Sequence, residues 1–224
     1  MKQLFFFLFA LLLIGCTEND ADINNEDQKT TTHIDNTTTY PPAEEEVLDT
    51  MSRNQREWLN FYSIRYPEMD IKGFAKVDEY TVDSFPTETN ISVSEVFLPY
   101  MKKNEDDTKA LDWLSYEREM KIDAHTGTRK LIAGSPDQAV FLVNLNNNTR
   151  KRLLFCGTPC SFESVDWVNS SEVIISGLYN FNGKASQPTI WNINLKKKRV
   201  IVYQHPQPVA KVDTPYQEYL LNRY

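Results

Sequence analysis

Glycine is scarce in this sequence, with seven in 224 residues, and no Gly-rich phosphate loop can be assembled from them. Histidine is scarcer still. His33, His125 and His205 stand far apart, and no pair has the spacing of a metal site. No Gly-x-Ser-x-Gly elbow occurs. There is no excess of positive charge: 24 Lys and Arg face 31 Asp and Glu, for a net charge of −7. A nucleic-acid binder usually carries a basic footprint, so that class is set aside. No apolar run is long enough to cross a bilayer of roughly 30 Å as a helix. Residues 4–13 are an unbroken apolar stretch of ten residues that Ile14 extends by one. What the chain does hold is 41% hydrophobic and 12% aromatic residues, enough to build a core.

The amino terminus reads MKQLFFFLFALLLIGC. Lys2 forms a short positive region, and the apolar run behind it suits a signal-peptide core. The run ends in Leu13-Ile14-Gly15-Cys16. This segment resembles the signal peptide and lipobox of Gram-negative bacterial lipoproteins. The resemblance implies that residues 1–15 are removed and that Cys16 becomes a lipidated first residue carrying diacylglyceryl and acyl (palmitate-type) chains. Each buried methylene contributes roughly 0.8 kcal/mol, so two or more chains anchor stably. Thr17 follows the cysteine where an Asp often signals inner-membrane retention in that family. The expected location is therefore the outer membrane, on its periplasmic face or at the cell surface. Thr17-Glu18-Asn19-Asp20-Ala21-Asp22 is also similar to a surface-export signal of one group of Gram-negative bacteria.

Charge divides the chain sharply. Residues 17–49 carry ten acids and one base, Lys29; residues 50–224 carry 21 acids and 22 bases. The acidic character belongs to the first segment alone. Its Thr, Asn, Asp and Glu bury too little apolar surface to offset the entropy of ordering, so residues 16–49 read as an acidic disordered tether. Residues 50–224 read as one β-rich globular domain.

Ser52-Arg53-Asn54-Gln55 matches a capping box, and Trp58, Phe61, Tyr62 and Tyr66 follow at helical spacing until Pro67. This pattern predicts a helix over about 53–65 with an aromatic face on a sheet. Three short segments, IKGFAKV (71–77), EYTVDSF (79–85) and ISVSEVFL (91–98), read as strands. The charged residues 102–109 read as a solvated loop, lacking the Gly turn and terminal Glu of a calcium loop. Residues 206–213 read as a linker. Thr214, Pro215 and Gln217 then fit N-cap, N1 and N3 of a short terminal helix with Tyr216, Tyr219 and Leu220 on one face.

Between these helices lies an internal repeat. Leu111-Asp112-Trp113-Leu114 corresponds to Val165-Asp166-Trp167-Val168 at an offset of 54 residues. Phe141-Leu142-Val143-Asn144-Leu145 corresponds to Trp191-Asn192-Ile193-Asn194-Leu195 at an offset of 50. A period near 50 with about four strands each is the size of a propeller blade. Residues 110–204 resemble two β-propeller-like blades, near 110–156 and 163–204, too few to close a ring. The expected fold is mainly β: a small antiparallel assembly of two blade-like repeats with an N-terminal helix and a short C-terminal helix. It is either an open twisted structure or a pair of hairpins in a sandwich. The basic residues at 150–152 and 196–199 fall at hairpin turns, where they oppose edge pairing.

With Cys16 lipidated, Cys156 and Cys160 remain. In an oxidising compartment they are a candidate disulfide, with free thiols as the other state. The chain-entropy model gives roughly 2 kcal/mol for so small a loop. No further ligand stands near enough for zinc. Asp112 and Asp166 each precede a Trp, a pattern that could serve glycoside hydrolysis, but their repeated position favours a turn-ordering role. The functional expectation has no catalytic residue, metal or cofactor. The chain is expected to be a lipid-anchored envelope protein presenting a small β-rich binding or accessory domain, with an envelope protein or surface glycan as partner. The alternative is a surface hydrolase acting on glycans or peptides.

Overall fold

The computed structural model describes residues 41–158, 160–180, 185–210 and 215–223, and Cys16 and His33 lie outside them. The chain enters through Pro42, which forms an antiparallel bridge with Ala75, and Ala43, whose N–H donates to the Phe74 carbonyl at 3.1 Å. Two helices follow, α1 (Glu45–Asn54) and α2 (Arg56–Ser63). The acidic stretch expected to be tether thus turns helical at Glu45. Glu45 and Glu46 sit in the first turn, where the exposed N–H groups favour negative charge. The capping box expected at Ser52 is not formed. Ser52 lies inside α1, and Gln55 occupies the break between the helices. The reason is long-range. The buried Gln55 amide accepts from Ser176 Oγ at 2.7 Å and donates to the Ile174 carbonyl at 3.4 Å.

The strands in chain order are β1 (Ala75–Thr81), β2 (Thr87–Glu88), β3 (Lys102–Lys103), β4 (Lys109–Asp112), β5 (Arg118–Ile122), β6 (Arg129–Ala133), β7 (Gln138–Asn144), β8 (Thr149–Cys156), β9 (Cys160–Asn169), β10 (Glu172–Tyr179), β11 (Gln187–Asn194) and β12 (Arg199–Gln204). Their architecture is mainly β and antiparallel, as the sequence implies. Sheet one has the order β1-β12-β11-β10-β9; sheet two has β2-β8-β7-β4-β3; β5 and β6 form a separate hairpin. A final helix, α3 (Tyr216–Leu221), closes the chain.

Side-chain alternation sorts these elements into layers. On β10, Val173 and Ile175 join Val165, Trp191, Ile193 and Val200 in a core shared with Leu111, Val140 and Leu153 of sheet two. Ile174, on the opposite face, joins Ile190 and Tyr203 under a helical layer containing Met51, Trp58, Phe61, Tyr62 and Tyr216. Sheet one is therefore covered on both sides. The outer face of sheet two, Ala139, Phe141 and Val143, is covered by Ile91, Val93 and Tyr116. Where Gly177 of β10 passes β9, an added Cβ would lie 1.8 Å from the Ser161 carbonyl oxygen, so the bulge there admits only glycine.

Several local expectations give way. Residues 91–98 form no strand; Ile91 and Val93 are half-buried by packing across sheet two rather than by pairing at its edge. Residues 71–73 make one 3-10 turn before β1 begins. The charged 102–109 stretch contains β3 and the start of β4, joined by a turn in which the Asn104 side chain accepts from the Lys109 N–H. Within the expected 206–213 linker, Val209 is buried and bridges Ser186. Pro215 occupies the N-cap position of α3, so that helix begins one residue later than its proline implied; Thr214 lies outside the described residues.

The repeat splits into two cases. The offset of 50 relates hairpins β7–β8 and β11–β12. Both turns place a residue at positive φ, Asn148 and Lys198, each at 53°. In both, an asparagine side chain at the end of the first strand, Asn144 or Asn194, accepts a turn N–H. The offset of 54 relates strands that are not equivalent. Asp112 ends β4, which pairs with β7, whereas Asp166 lies in edge strand β9, one strand removed from β11.

Candidate functional site

Helix α2 presents three rows at a spacing of four residues. Trp58 and Tyr62 face sheet one and are fully buried. Arg56, Asn60 and Ile64 form one outer row, and Glu57, Phe61 and Arg65 the adjacent one. Tyr219 of α3 and Arg223, just beyond its end, add to the lining. Together these eight residues line a groove of about 700 Å³. Ile64 is 79% exposed and Tyr219 39%. Phe61 forms the floor: its ring centroid lies 5.2 Å from those of both Tyr216 and Tyr219. The Arg65 guanidinium lies 3.9 Å over the Phe61 ring and donates to the Phe61 carbonyl at 2.7 Å. Arg223 pairs with Glu57 at 2.8 Å. The groove therefore combines three guanidinium groups, one of them matched by Glu57, with an aromatic and aliphatic floor. Such a surface can hold carboxylates through paired N–H donors while stacking or covering an apolar group.

The far wall is fixed by hydrogen bonds to the β layer. Gln217 donates to the Phe162 carbonyl and accepts from Arg118 at 3.1 Å. The Asn222 amide accepts from the Arg129 N–H at 2.7 Å and donates to the Arg129 carbonyl at 2.9 Å, taking the place of a neighbouring strand at that point of β6.

Beneath α2 lies a buried carboxyl that sequence reasoning did not single out. Glu163 of β9 accepts from Trp58 Nε1 at 2.8 Å, from the Tyr62 hydroxyl at 2.9 and 3.1 Å, and from Ser161 Oγ at 3.4 Å. Burial pushes its pKa up to about 7, against the opposing pull of the Trp58, Tyr62 and Ser161 hydrogen bonds. Burial, followed by the Glu163 charge, drives the Tyr62 hydroxyl well above its ordinary range. Glu163 is not among the groove-lining residues. The available signal was two hydrogen-bond donors four residues apart on a buried helix face, which call for an acceptor on the strand below.

The other expected residues are placed as follows. Asp112 is buried; its carboxylate accepts from the Leu114 and Ser115 N–H groups, each at 3.1 Å, and from the Ser115 hydroxyl. Asp166 accepts from the Trp167 N–H at 2.8 Å, and burial raises its pKa. The two carboxyls lie in different sheets and neither lines the groove. Trp113 donates to the Glu163 carbonyl, and Trp167 to that of Lys102. His205 is buried against Phe74, on the spot a Cβ at Gly73 would claim, and burial lowers its pKa. Cys156 and Cys160 sit at disulfide distance, with Cα atoms 6.1 Å apart. The basic residues 150–152 lie within β8 rather than at its turn, where Arg150 pairs with Glu88 of β2 and lies over Phe141; Arg199 opens β12 and pairs with Glu79. Among the described residues no group of three or more His, Cys, Asp or Glu converges to hold a metal ion, and no helix is long and apolar enough to cross a membrane. Comparison with known proteins returned no matching family model, no matching curated protein and no matching solved structure.

Proposed function

We propose that this chain is a lipoprotein held at the outer membrane through Cys16, and that its β-rich domain serves as a binding or accessory module for another envelope protein or a surface glycan. The α2–α3 groove carries the reading. It joins exposed arginines to an aromatic floor on a helical layer anchored to sheet one, an arrangement suited to recognition. The carboxyl best tuned for proton transfer, Glu163, faces the buried side of α2 rather than the groove, which favours binding over hydrolysis. The two five-stranded sheets are read as two blade-like units stacked on each other. The Cys156–Cys160 pair is read as a structural disulfide that fixes the crossover from β8 to β9.

Metabolic labelling with a palmitate analogue should mark the parent protein and leave Cys16→Ala unmarked; label retained on the variant would refute the anchor. Envelope material captured by the parent should be lost with Arg56→Glu plus Ile64→Asp. Equal capture by that variant would remove the groove from the recognition reading.

A further inference from the structure

The groove selects its occupant by charge. Arg56, Arg65 and Arg223 stand in it against one carboxylate among the lining residues, Glu57, which Arg223 engages at 2.8 Å. Arg56 is exposed, and among the described residues its side chain has no hydrogen-bond or ion-pair partner. Guanidinium groups in excess of carboxylates favour an anionic occupant, and a carboxylate meets the planar fork with two bonds at once. Ile64, 79% exposed, adds an aliphatic knob beside Arg65. An occupant that takes it out of water gains most by bringing an apolar group of its own.

The walls then choose between a sugar and a peptide. A sugar ring docks by laying its C–H face on an open aromatic plate. Phe61 offers no such plate: it is 4% exposed, and the Arg65 guanidinium lies 3.9 Å over its ring. The lining comes from two helices, so an extended peptide finds no strand edge to join. What α2 presents is the row Arg56, Asn60 and Ile64, with Glu57, Phe61 and Arg65 alongside. Rows at a spacing of four accept the matching rows of a second helix. Arg56 and Ile64 are eight positions apart, about 12 Å along a helix axis, which is two turns of a partner.

We infer, building on the groove as a recognition surface, that its partner is a segment of another protein: a short amphipathic helix with an acidic and apolar face. Its acids meet Arg56 and Arg65 from positions about two turns apart. An apolar side chain on the same face covers Ile64 and the edge of Tyr219.

The test uses the chain from residue 16 with Cys16→Ser, and its probe is a display library of random 16-residue peptides. Selected sequences should carry acids and apolar residues at spacings of three, four and seven. As labelled synthetic peptides they should bind more weakly as salt rises. They should lose at least about tenfold in affinity on Arg56→Glu with Arg65→Glu, and also on Ile64→Asp. Arg56→Glu alone gives a variant that leaves the Arg65–Phe61 contact in place, and circular dichroism checks the fold of each. Lys196→Glu with Lys197→Glu, at the exposed β11–β12 turn, makes the same change in net charge and should leave binding unchanged. Failure to select any peptide would overturn the inference. So would selected peptides without acids, or an equal loss on the lysine variant. Polygalacturonate binding that needs the arginines, with no peptide selected, would assign the groove to an acidic glycan instead. Sedimentation showing self-association that Ile64→Asp abolishes would assign it to a second copy of the chain. The two readings fail separately: envelope capture that depends on the groove with no acidic peptide selected removes the ligand class alone, and peptide docking with capture indifferent to the groove removes the recognition function alone.

Discussion

Glu163 shows how one side chain gives the fold a dependence on pH. The carboxyl has been taken out of water and surrounded by three neutral donors, so its proton is held up to about pH 7 in the folded chain against an ordinary value of 4.5. Between those two values the folded state binds more protons than the unfolded one. Stability from this group therefore falls as pH rises from 4.5 to about 7, and is level above that. The full drop is about 3 kcal/mol by linkage. Glu163→Gln removes the titration and keeps an oxygen for Trp58 and an amide for the Tyr62 and Ser161 oxygens. Thermal melts of parent and variant across that range should show the gap moving in the variant's favour as pH rises. A gap that stays constant would show that Glu163 does not titrate there.

At the scale of elements, the break between α1 and α2 is the instructive case. The aromatic stripe Trp58, Phe61 and Tyr62 was legible because periodicity and burial coincide on one face. The start of the helical region was not. Glu44, Glu45 and Glu46 read as solvated chain, and the apparent capping box broke because Gln55 spends its side chain on β10. Gln55→Ala should leave the Ser176 hydroxyl and the Ile174 carbonyl without that partner in the interior, at a cost of about 2 kcal/mol, measurable by urea unfolding. Unchanged stability would mean that water replaces the amide. The hairpins offset by 50 residues were legible for a local reason, since their asparagine turns are written in adjacent residues. Strand order was not, because β4 and β9 share an Asp-Trp pattern while taking different positions in their sheets. Residues 91–98 carry strand-like composition yet serve as a lid over Phe141, and composition cannot distinguish burial by pairing from burial by covering. The groove was only half visible. Its α2 residues lay in a predicted helix, but its partnership with Tyr219 and Arg223 depends on where α3 docks.

The whole molecule pairs a strongly acidic leading segment with a domain close to neutral. Limited proteolysis of the lipid-free mature chain at high salt should trim it to a stable fragment beginning near residue 41, where the pairing with Phe74 and Ala75 starts. A fragment that instead starts beyond residue 54 would place α1 outside the stable body.

The bridge from Pro42 to Ala75 also fixes where force arrives. If Cys16 is moored in lipid, drag on the domain is transmitted through the point where the chain first joins β1, an outer strand of sheet one. The two contacts at Pro42 and Ala43 form a short clasp that must unzip before tension reaches β1, so a gentle tug would be spent at that margin while the interior between the sheets stays closed.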